Sequence, residues 1–254
     1  MKKELKKYSN LAQLILNHET RYQANKKIIQ DIFEIPSVTF KDTIQFRLTV
    51  IDSYYSTQMS KRLYGIEDIA KTLVLKSDDE LKSEISIFLE EPSKSTFLKE
   101  AFNKKYGINK QGKDFGKAIS LLSKYCYFIN NRNFPIYDTI AKVSYPLLNN
   151  GKIINEVNYF AAIKELNKTS GINNYEKLDN LMWLLGKIKS GSFSILMDKD
   201  KYRTITENIV FHKKDTTKEK DNRIRKHIAE IYKTLDIFSK DEKEFLEFAF
   251  SLNT

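Results

Sequence analysis

Apolar residues recur at helical spacing along most of this chain, and this periodicity restricts its fold more than any other feature. The clearest case is a helix predicted over residues 113–129. The apolar residues that would share one face of it are Phe115, Ala118, Ile119, Leu122, Tyr125, Cys126 and Ile129. Glycine and proline number only 8 and 4, which disfavours a fold of many short strands and tight turns. The sequence therefore predicts an all-α fold.

The same spacing predicts helices elsewhere in the chain. Their predicted ranges are 3–17, 21–33, 40–59, 66–74, 77–89, 96–105, 155–167, 175–187, 223–237 and 240–252. Ser77 and Ser239 each stand three residues before a glutamate, the capping-box pattern that starts a helix. Residues 198–222 are polar and weakly periodic, which predicts a long loop or two short irregular elements. We predict a single mainly helical domain over 1–254, with two lobes, 1–106 and 107–254, as the alternative.

The chain carries an excess of positive charge. It has 43 Lys and Arg against 33 Asp and Glu, a formal net charge of +10. Such an excess favours a polyanionic partner, either nucleic acid or an anionic surface. The alternative is that the lysines of a Lys- and Asn-rich sequence only solvate helices.

Several classes of protein are disfavoured by what the sequence lacks. Cys126 is the only cysteine, so no disulfide forms within the chain, which fits a cytoplasmic protein. It falls on an apolar helix face and is expected to be a buried, inert thiol.

The three histidines are scattered, so no metal site is expected. Neither G-x-G-x-x-G nor a Walker pattern occurs, and no cofactor is expected. No apolar run approaches the length of about 18 residues that a spanning helix needs, so no membrane span is predicted.

One segment predicts a reaction centre. Pro135 fixes its own backbone and holds Phe134 extended, and Ile136 and Tyr137 then lead to Asp138, which opens the next helix. An aspartate there accepts backbone N–H bonds at the positive end of the helix dipole, which favours its ionised form. Such a carboxylate can orient a water, deprotonate a nucleophile or stabilise a cation. Aspartate is also a common helix N-cap with no chemical role.

Lysines precede this aspartate. On the helix predicted over residues 113–129, Lys113, Lys117, Ser120 and Lys124 would lie opposite the apolar stripe. This face is either a solvated surface or a strip that holds phosphates, with one lysine turned toward Asp138. A lysine nucleophile must lose its proton, so it needs a desolvated setting or a nearby cation.

The order of helix, polar loop, Pro-Ile-Tyr-Asp and helix resembles the end of the catalytic core of helix-hairpin-helix DNA glycosylases, including the 8-oxoguanine glycosylases. The resemblance covers roughly residues 107–147. Asp138 matches the family's aspartate. Lys117, on the predicted helix before it, lies nearest the place of the lysine found in members that also cleave the strand. Lys124 is the alternative on the same predicted helix.

The resemblance implies both a partner and a reaction. The partner would be duplex DNA, from which a damaged base is flipped into a pocket. Asp138 would stabilise positive charge at the sugar as the glycosidic bond breaks, or activate the attacking group. Lys117 or Lys124 would attack the sugar in an enzyme that also cleaves the strand.

Further residues are candidates for the pocket and for phosphate contacts. The predicted pocket residues are Tyr54, Ser56, Thr57 and Tyr137, although the first three equally suit a helix end. The predicted nucleic-acid-binding residues are Lys110, Lys113, Arg132, Lys213 and Lys214. The last two belong to a basic stretch, 212–226, that is either a phosphate-contacting arm or a solvated loop.

Two functions therefore follow from the sequence. The first is a DNA-binding protein of glycosylase-like fold that excises a damaged base. The alternative is a non-catalytic helical module that binds nucleic acid or protein, for example in defence against mobile DNA. An enzyme needs Asp138 in an open cleft with a lysine nearby, whereas a module can bury it as a helix cap.

Overall fold

A computed structural model of the chain describes residues 4–18, 20–35 and 40–252. The described residues form thirteen α-helices and one two-stranded antiparallel sheet, which confirms the predicted mainly helical fold. In chain order the elements are α1 (Leu5–His18), α2 (Thr20–Glu34), α3 (Phe40–Tyr55), α4 (Gly65–Leu73), α5 (Asp78–Glu90), α6 (Thr96–Asn103), β1 (Lys105–Ile108), β2 (Asp114–Lys117), α7 (Ile119–Ile129), α8 (Thr139–Leu148), α9 (Tyr159–Thr169), α10 (Tyr175–Lys189), α11 (Lys199–Glu207), α12 (Thr217–Ile231) and α13 (Lys240–Ser251). None of the described helices combines the length and the apolar character needed to cross a membrane.

The chain divides into two compact units, each assembled from separate stretches. Unit 1 comprises Met1–Gln23, Thr139–Asn155 and Leu166–Thr254. Unit 2 comprises Ala24–Asp138 and Glu156–Glu165. The alternative of lobes divided after residue 106 stays a prediction.

Helix α7 is the centre of unit 2. All of its eleven residues except Ser120 are buried, as expected of a helix surrounded on every side by other elements. Cys126 is 1% exposed, so the predicted buried thiol is confirmed. Burial also raises the pKa of this thiol, which disfavours the reactive thiolate.

The helix predicted over residues 113–129 begins later than expected, at Ile119. Residues 105–117 form a β-hairpin instead, with Tyr106 opposite Gly116. Turn chemistry prevails over the helical period here, because the Asn109 carboxamide accepts the backbone N–H groups of two later turn residues. Phe115, predicted on the buried face, is 41% exposed on β2. Lys113 and Lys117 therefore do not lie on a helix.

A short segment before α4 pairs with this hairpin. Leu63 and Ile108 exchange two backbone hydrogen bonds of 3.0 Å. Gly107 permits this approach, because its φ is +69° and a Cβ there would lie 2.7 Å from the Leu63 carbonyl oxygen. The pairing holds Arg62, the residue before Leu63, beside the hairpin.

A buried arginine joins three helices of unit 2. Arg47 on α3 is 3% exposed, and its guanidinium donates to both carboxylate oxygens of Asp78 at the start of α5, at 2.9 and 3.2 Å. It also donates to the Phe33 carbonyl oxygen on α2 at 2.8 Å and lies 4.7 Å from the Phe33 ring centre. Such fork-shaped contacts fix the three helices against one another.

Other helix limits also differ from the predictions. The helix predicted over 40–59 ends at Tyr55. The polar stretch 198–222, predicted to be irregular, contains α11 and the start of α12. Both helices have side-chain N-caps, Asp198 and Thr216, which compensate for a weak apolar period. The predicted capping boxes at Ser77 and Ser239 are confirmed.

Unit 1 is a helical bundle in which α10 contacts α1, α8 and α13. Gly186 on α10 lies against α8, and a Cβ there would lie 2.4 Å from Ile140 Cγ2, so glycine sets this close packing. On α13, Glu242 is 5% exposed, accepts the Ser239 backbone N–H at 2.7 Å and lies 3.1 Å from His18 Nε2.

The charge of Glu242 is expected to stabilise the folded protein at neutral pH. Burial alone would raise the pKa of Glu242, but the bonds from Ser239 and His18 outweigh burial and hold this pKa below its ordinary value. A carboxyl whose pKa is depressed on folding stabilises the protein above its unfolded pKa, and this stabilisation disappears as the pH falls through the folded pKa. In Glu242→Gln the free energy of unfolding should fall at pH 7, and its difference from wild type should shrink below about pH 4.5.

Chemical denaturation at a series of pH values measures this difference. The exposed Glu230→Gln serves as the control and should follow wild type throughout. A difference between Glu242→Gln and wild type that stays constant from pH 7 to pH 3 would contradict the prediction.

Removal of the Arg47 guanidinium should strongly destabilise unit 2. Arg47→Met keeps most of the side-chain volume but leaves Asp78 and the Phe33 carbonyl without their partner. Loss of one member of a buried ion pair costs about 3 kcal/mol where the other member keeps some access to water. Urea unfolding followed by circular dichroism measures the change. Lys27→Met, which removes an exposed ion pair with Asp31, should have little effect.

Candidate functional site

A small cavity in unit 2 lies between the end of α3, the hairpin and the start of α7. Its volume is about 130 Å³, and we call it the hairpin cavity. Its polar lining residues are Thr57, Arg62, Lys117, Ser120, Tyr137 and Glu156. Three residues predicted from the sequence, Thr57, Lys117 and Tyr137, thus meet at one site although they are distant from one another along the chain.

Arg62 forms the wall between this cavity and the hairpin. Its guanidinium donates to the carbonyl oxygens of Gly116 and Lys117, at 2.8 and 2.9 Å, and lies 4.7 Å from the Phe115 ring centre. Burial lowers the pKa of Arg62, while the nearby charge of Asp52 opposes that effect. Its Nε is buried and has no hydrogen-bond partner among the residues that the structure describes. Sequence reasoning missed Arg62, because its hydrogen-bond partners are distant along the chain.

Lys117 is paired at the mouth of the cavity. Its Nζ lies 2.7 Å from Glu156 Oε1 and 3.0 Å from Asn103 Oδ1. The two charged side chains are 38% and 44% exposed, so water screens the pair, and it contributes about 1 kcal/mol or less. The ion pair between Lys117 and Glu156 can therefore open at low cost. No sequence signal pointed to Glu156, which is far from its partner along the chain.

Lys124 lies in a different environment from Lys117. It is 2% exposed, so its predicted place on a solvated helix face is wrong. Its Nζ donates to Ser120 Oγ at 2.8 Å and lies 5.2 Å from the Tyr55 ring centre. Because Ser120 lines the hairpin cavity, Lys124 lies directly behind the cavity wall. This is the desolvated setting that a lysine nucleophile requires.

The segment before Asp138 is held against α7. The Tyr137 backbone N–H donates to Ser123 Oγ at 2.9 Å, and the Tyr159 hydroxyl donates to the Ile136 carbonyl oxygen. Asp138 is half-buried and stands directly before α8, as predicted. Tyr137, the residue before Asp138, lines the hairpin cavity, whereas Asp138 is not among the residues that line it.

The predicted pocket residues on α3 and just beyond it have different roles. Asp52 Oδ1 accepts the Thr57 hydroxyl at 2.5 Å and the Met59 backbone N–H at 3.2 Å, which fixes the turn after α3. Thr57 thus caps a helix end and lines the cavity at once. Tyr54 and Ser56 are both exposed, and Ser56 has a positive φ of 49°.

The predicted nucleic-acid-binding residues fall in both units. Lys110 and Lys113 are exposed in the hairpin loop. Residues 104–117 carry five lysines against one aspartate, a net charge of +4. Arg132, half-buried, belongs to the turn after α7 and has a φ of +61°. Lys213 and Lys214 are exposed in unit 1, between α11 and α12.

The function of the hairpin cavity is indicated neither by a metal site in the described part of the chain nor by similarity to another protein. Among the described residues, no three His, Cys, Asp or Glu side chains are arranged to hold a metal ion. Comparisons with protein-family models, with curated proteins and with solved structures found no match to this chain. The observations that bear on function are therefore the geometry of the hairpin cavity and the resemblance over residues 107–147.

Proposed function

We propose that this protein binds duplex DNA and excises a base from it, with the hairpin cavity as part of the base-binding site. The observation that carries the proposal is the meeting of Thr57, Lys117 and Tyr137 at one cavity beside a basic hairpin. Each of these residues was a site candidate on sequence grounds alone. The resemblance of the segment around Asp138 to helix-hairpin-helix glycosylases supports the same reaction.

The hairpin has the properties of a DNA-binding surface. Together with Lys104, which precedes it, the hairpin carries a net charge of +4 that attracts phosphates, and binding through lysines releases counterions from the duplex. Phe115 is exposed on the same hairpin, and an aromatic ring among basic residues can stack on an unpaired base. Phosphate contacts by Lys110 and Lys113 would hold the duplex beside the cavity.

Lys124 is a better candidate for the nucleophile than Lys117. The ammonium of Lys124 is desolvated and touches the cavity wall through Ser120, whereas Lys117 is exposed and paired with Glu156. In the reaction, a water or a lysine amine bonds to the sugar carbon while the glycosidic bond breaks. The bonding electrons leave with the base, which takes up a proton. Asp138 would stabilise the positive charge at the sugar or activate the attacking group.

A non-catalytic module that binds nucleic acid or protein is the second candidate. The ion pair of Lys117 with Glu156 favours this second candidate. A lysine that is held in an ion pair at the cavity mouth is better suited to binding a partner than to attacking a sugar.

DNA binding through the hairpin should weaken steeply with salt. The double variant Lys110→Gln/Lys113→Gln should reduce the slope of log affinity against log salt by about 2, because each lost phosphate contact removes about 1. Fluorescence anisotropy with a labelled duplex between about 50 and about 300 mM salt, a range in which such contacts are measurable, provides the slope. The matched control, Lys82→Gln/Lys94→Gln, removes two exposed lysines on α5 and in the turn after it. The same loss in both double variants would mean that net charge, not the hairpin, drives binding.

Base excision should depend on Asp138 and Lys124. Duplexes that contain 8-oxoguanine, uracil or an alkylated base are incubated with the protein, and released base and nicked strand are measured. Asp138→Asn should lower base release at least about 100-fold, as expected for loss of a group that acts on the transition state. Lys124→Met should abolish any nicking, while Lys117→Gln should leave nicking in place and weaken DNA binding.

Circular dichroism establishes that each variant is folded, and duplex binding is a second check for Asp138→Asn and Lys124→Met. If the folded wild-type protein binds DNA but releases no base from any of these duplexes, the excision proposal fails and the binding module is the better description.

A further inference from the structure

A second and larger cavity of unit 2 is also lined by the Lys117–Glu156 ion pair. Its volume is about 360 Å³, which falls within the range of small-molecule sites, roughly 300–1,000 Å³. We call it the aromatic cavity. Among the residues that line it are Phe88, Phe102, Phe160, Lys99, Glu156 and Val157. None of these six was predicted as a site residue from the sequence.

The floor of the aromatic cavity is a cluster of phenylalanine rings. Phe160 packs edge-on against Phe88, with ring centres 5.2 Å apart, and lies 4.9 Å from Phe102. Phe88 and Phe102 both line the cavity and are only 5% and 6% exposed, so core packing holds their rings in place. At the edge, Val157 is 96% exposed, and a ligand that covers it would remove apolar surface from water. A flat apolar ring suits such a floor, because aromatic rings favour stacked or edge-on contact.

The rim of the cavity carries one uncompensated positive charge. Glu156 and Lys117, which both line it, neutralise each other. Lys99 on α6 also lines the cavity, is exposed, and forms no ion pair with any described residue. A ligand with a single negative charge therefore matches this rim, whereas a second negative charge would meet Glu156.

We propose that the aromatic cavity binds a small planar aromatic carboxylate, with its ring on the phenylalanine floor and its carboxylate at Lys99. The phenylalanine floor and Lys99 are not part of the hairpin cavity, and the proposal does not depend on DNA binding or base excision. The ligand class follows from the aromatic floor and the single positive charge at the rim.

The test uses 2-naphthoate and its neutral analogue 2-naphthamide as probes. Isothermal titration calorimetry on the full chain should show that 2-naphthoate binds about fivefold more tightly than the amide, since Lys99 is exposed and its attraction is partly screened. Lys99→Gln should abolish this preference and leave the amide affinity unchanged. Lys82→Gln, which changes an exposed lysine on α5, is the matched control and should bind both probes as wild type does.

A second variant tests the floor of the cavity. Ala161 lines the cavity from an exposed position on α9, so Ala161→Phe should fill the site without disturbing the core. It should remove binding of both probes while the thermal unfolding midpoint stays near that of wild type. The proposal is overturned if neither probe binds at millimolar concentration, if both bind equally to wild type, or if Ala161→Phe binds them unchanged.

Discussion

The burial of α7, at every residue except Ser120, is the constraint on which the rest of unit 2 depends. Four of its buried residues carry polar groups, and a buried polar group is costly unless it has a partner. These residues are Ser123, Lys124, Tyr125 and Tyr127. Ser123 Oγ accepts the Tyr137 backbone N–H, and the Tyr127 hydroxyl accepts a hydrogen bond of 3.2 Å from Lys26 on α2. Burial raises the pKa of Tyr125, and Arg47 on α3 opposes part of that rise. Each partner fixes another segment around the helix.

The same burial separates two kinds of lysine at the candidate site. Ser120 is the one residue of α7 that is not buried, and it both lines the hairpin cavity and accepts the bond from Lys124. Lys124 is thus held out of water at the inner side of the cavity. Lys117, on β2, stays partly in water and pairs with Glu156. Lys124 is therefore enclosed by protein, whereas Lys117 is held only by a weak, partly exposed ion pair.

Much of the fold could be predicted from local patterns. Ser77 and Ser239 marked helix starts because a capping box needs only two residues three apart. The hairpin was missed because Lys113, Phe115 and Lys117 fit the helical period of the residues that follow them. The Asn109 turn and the pairing of Leu63 with Ile108 depend on backbone geometry, which that period does not show. Of the residues at the hairpin cavity, the sequence predicted Lys117, Thr57 and Tyr137. It did not predict Arg62 and Glu156, because the residues to which they are hydrogen-bonded are distant along the chain.

By itself, the sequence determined the helical class, the burial of Cys126 and the position of Asp138 before a helix, because these follow from periodicity and from the restricted backbone around Pro135. Only the tertiary structure decided which charges are buried. Helical spacing placed Lys124 on a polar face, yet α7 is enclosed on all sides, and Ser120 and the Tyr55 ring provide contacts of its ammonium. Burial depends on what packs around a helix, and a pattern within one helix does not specify its neighbours.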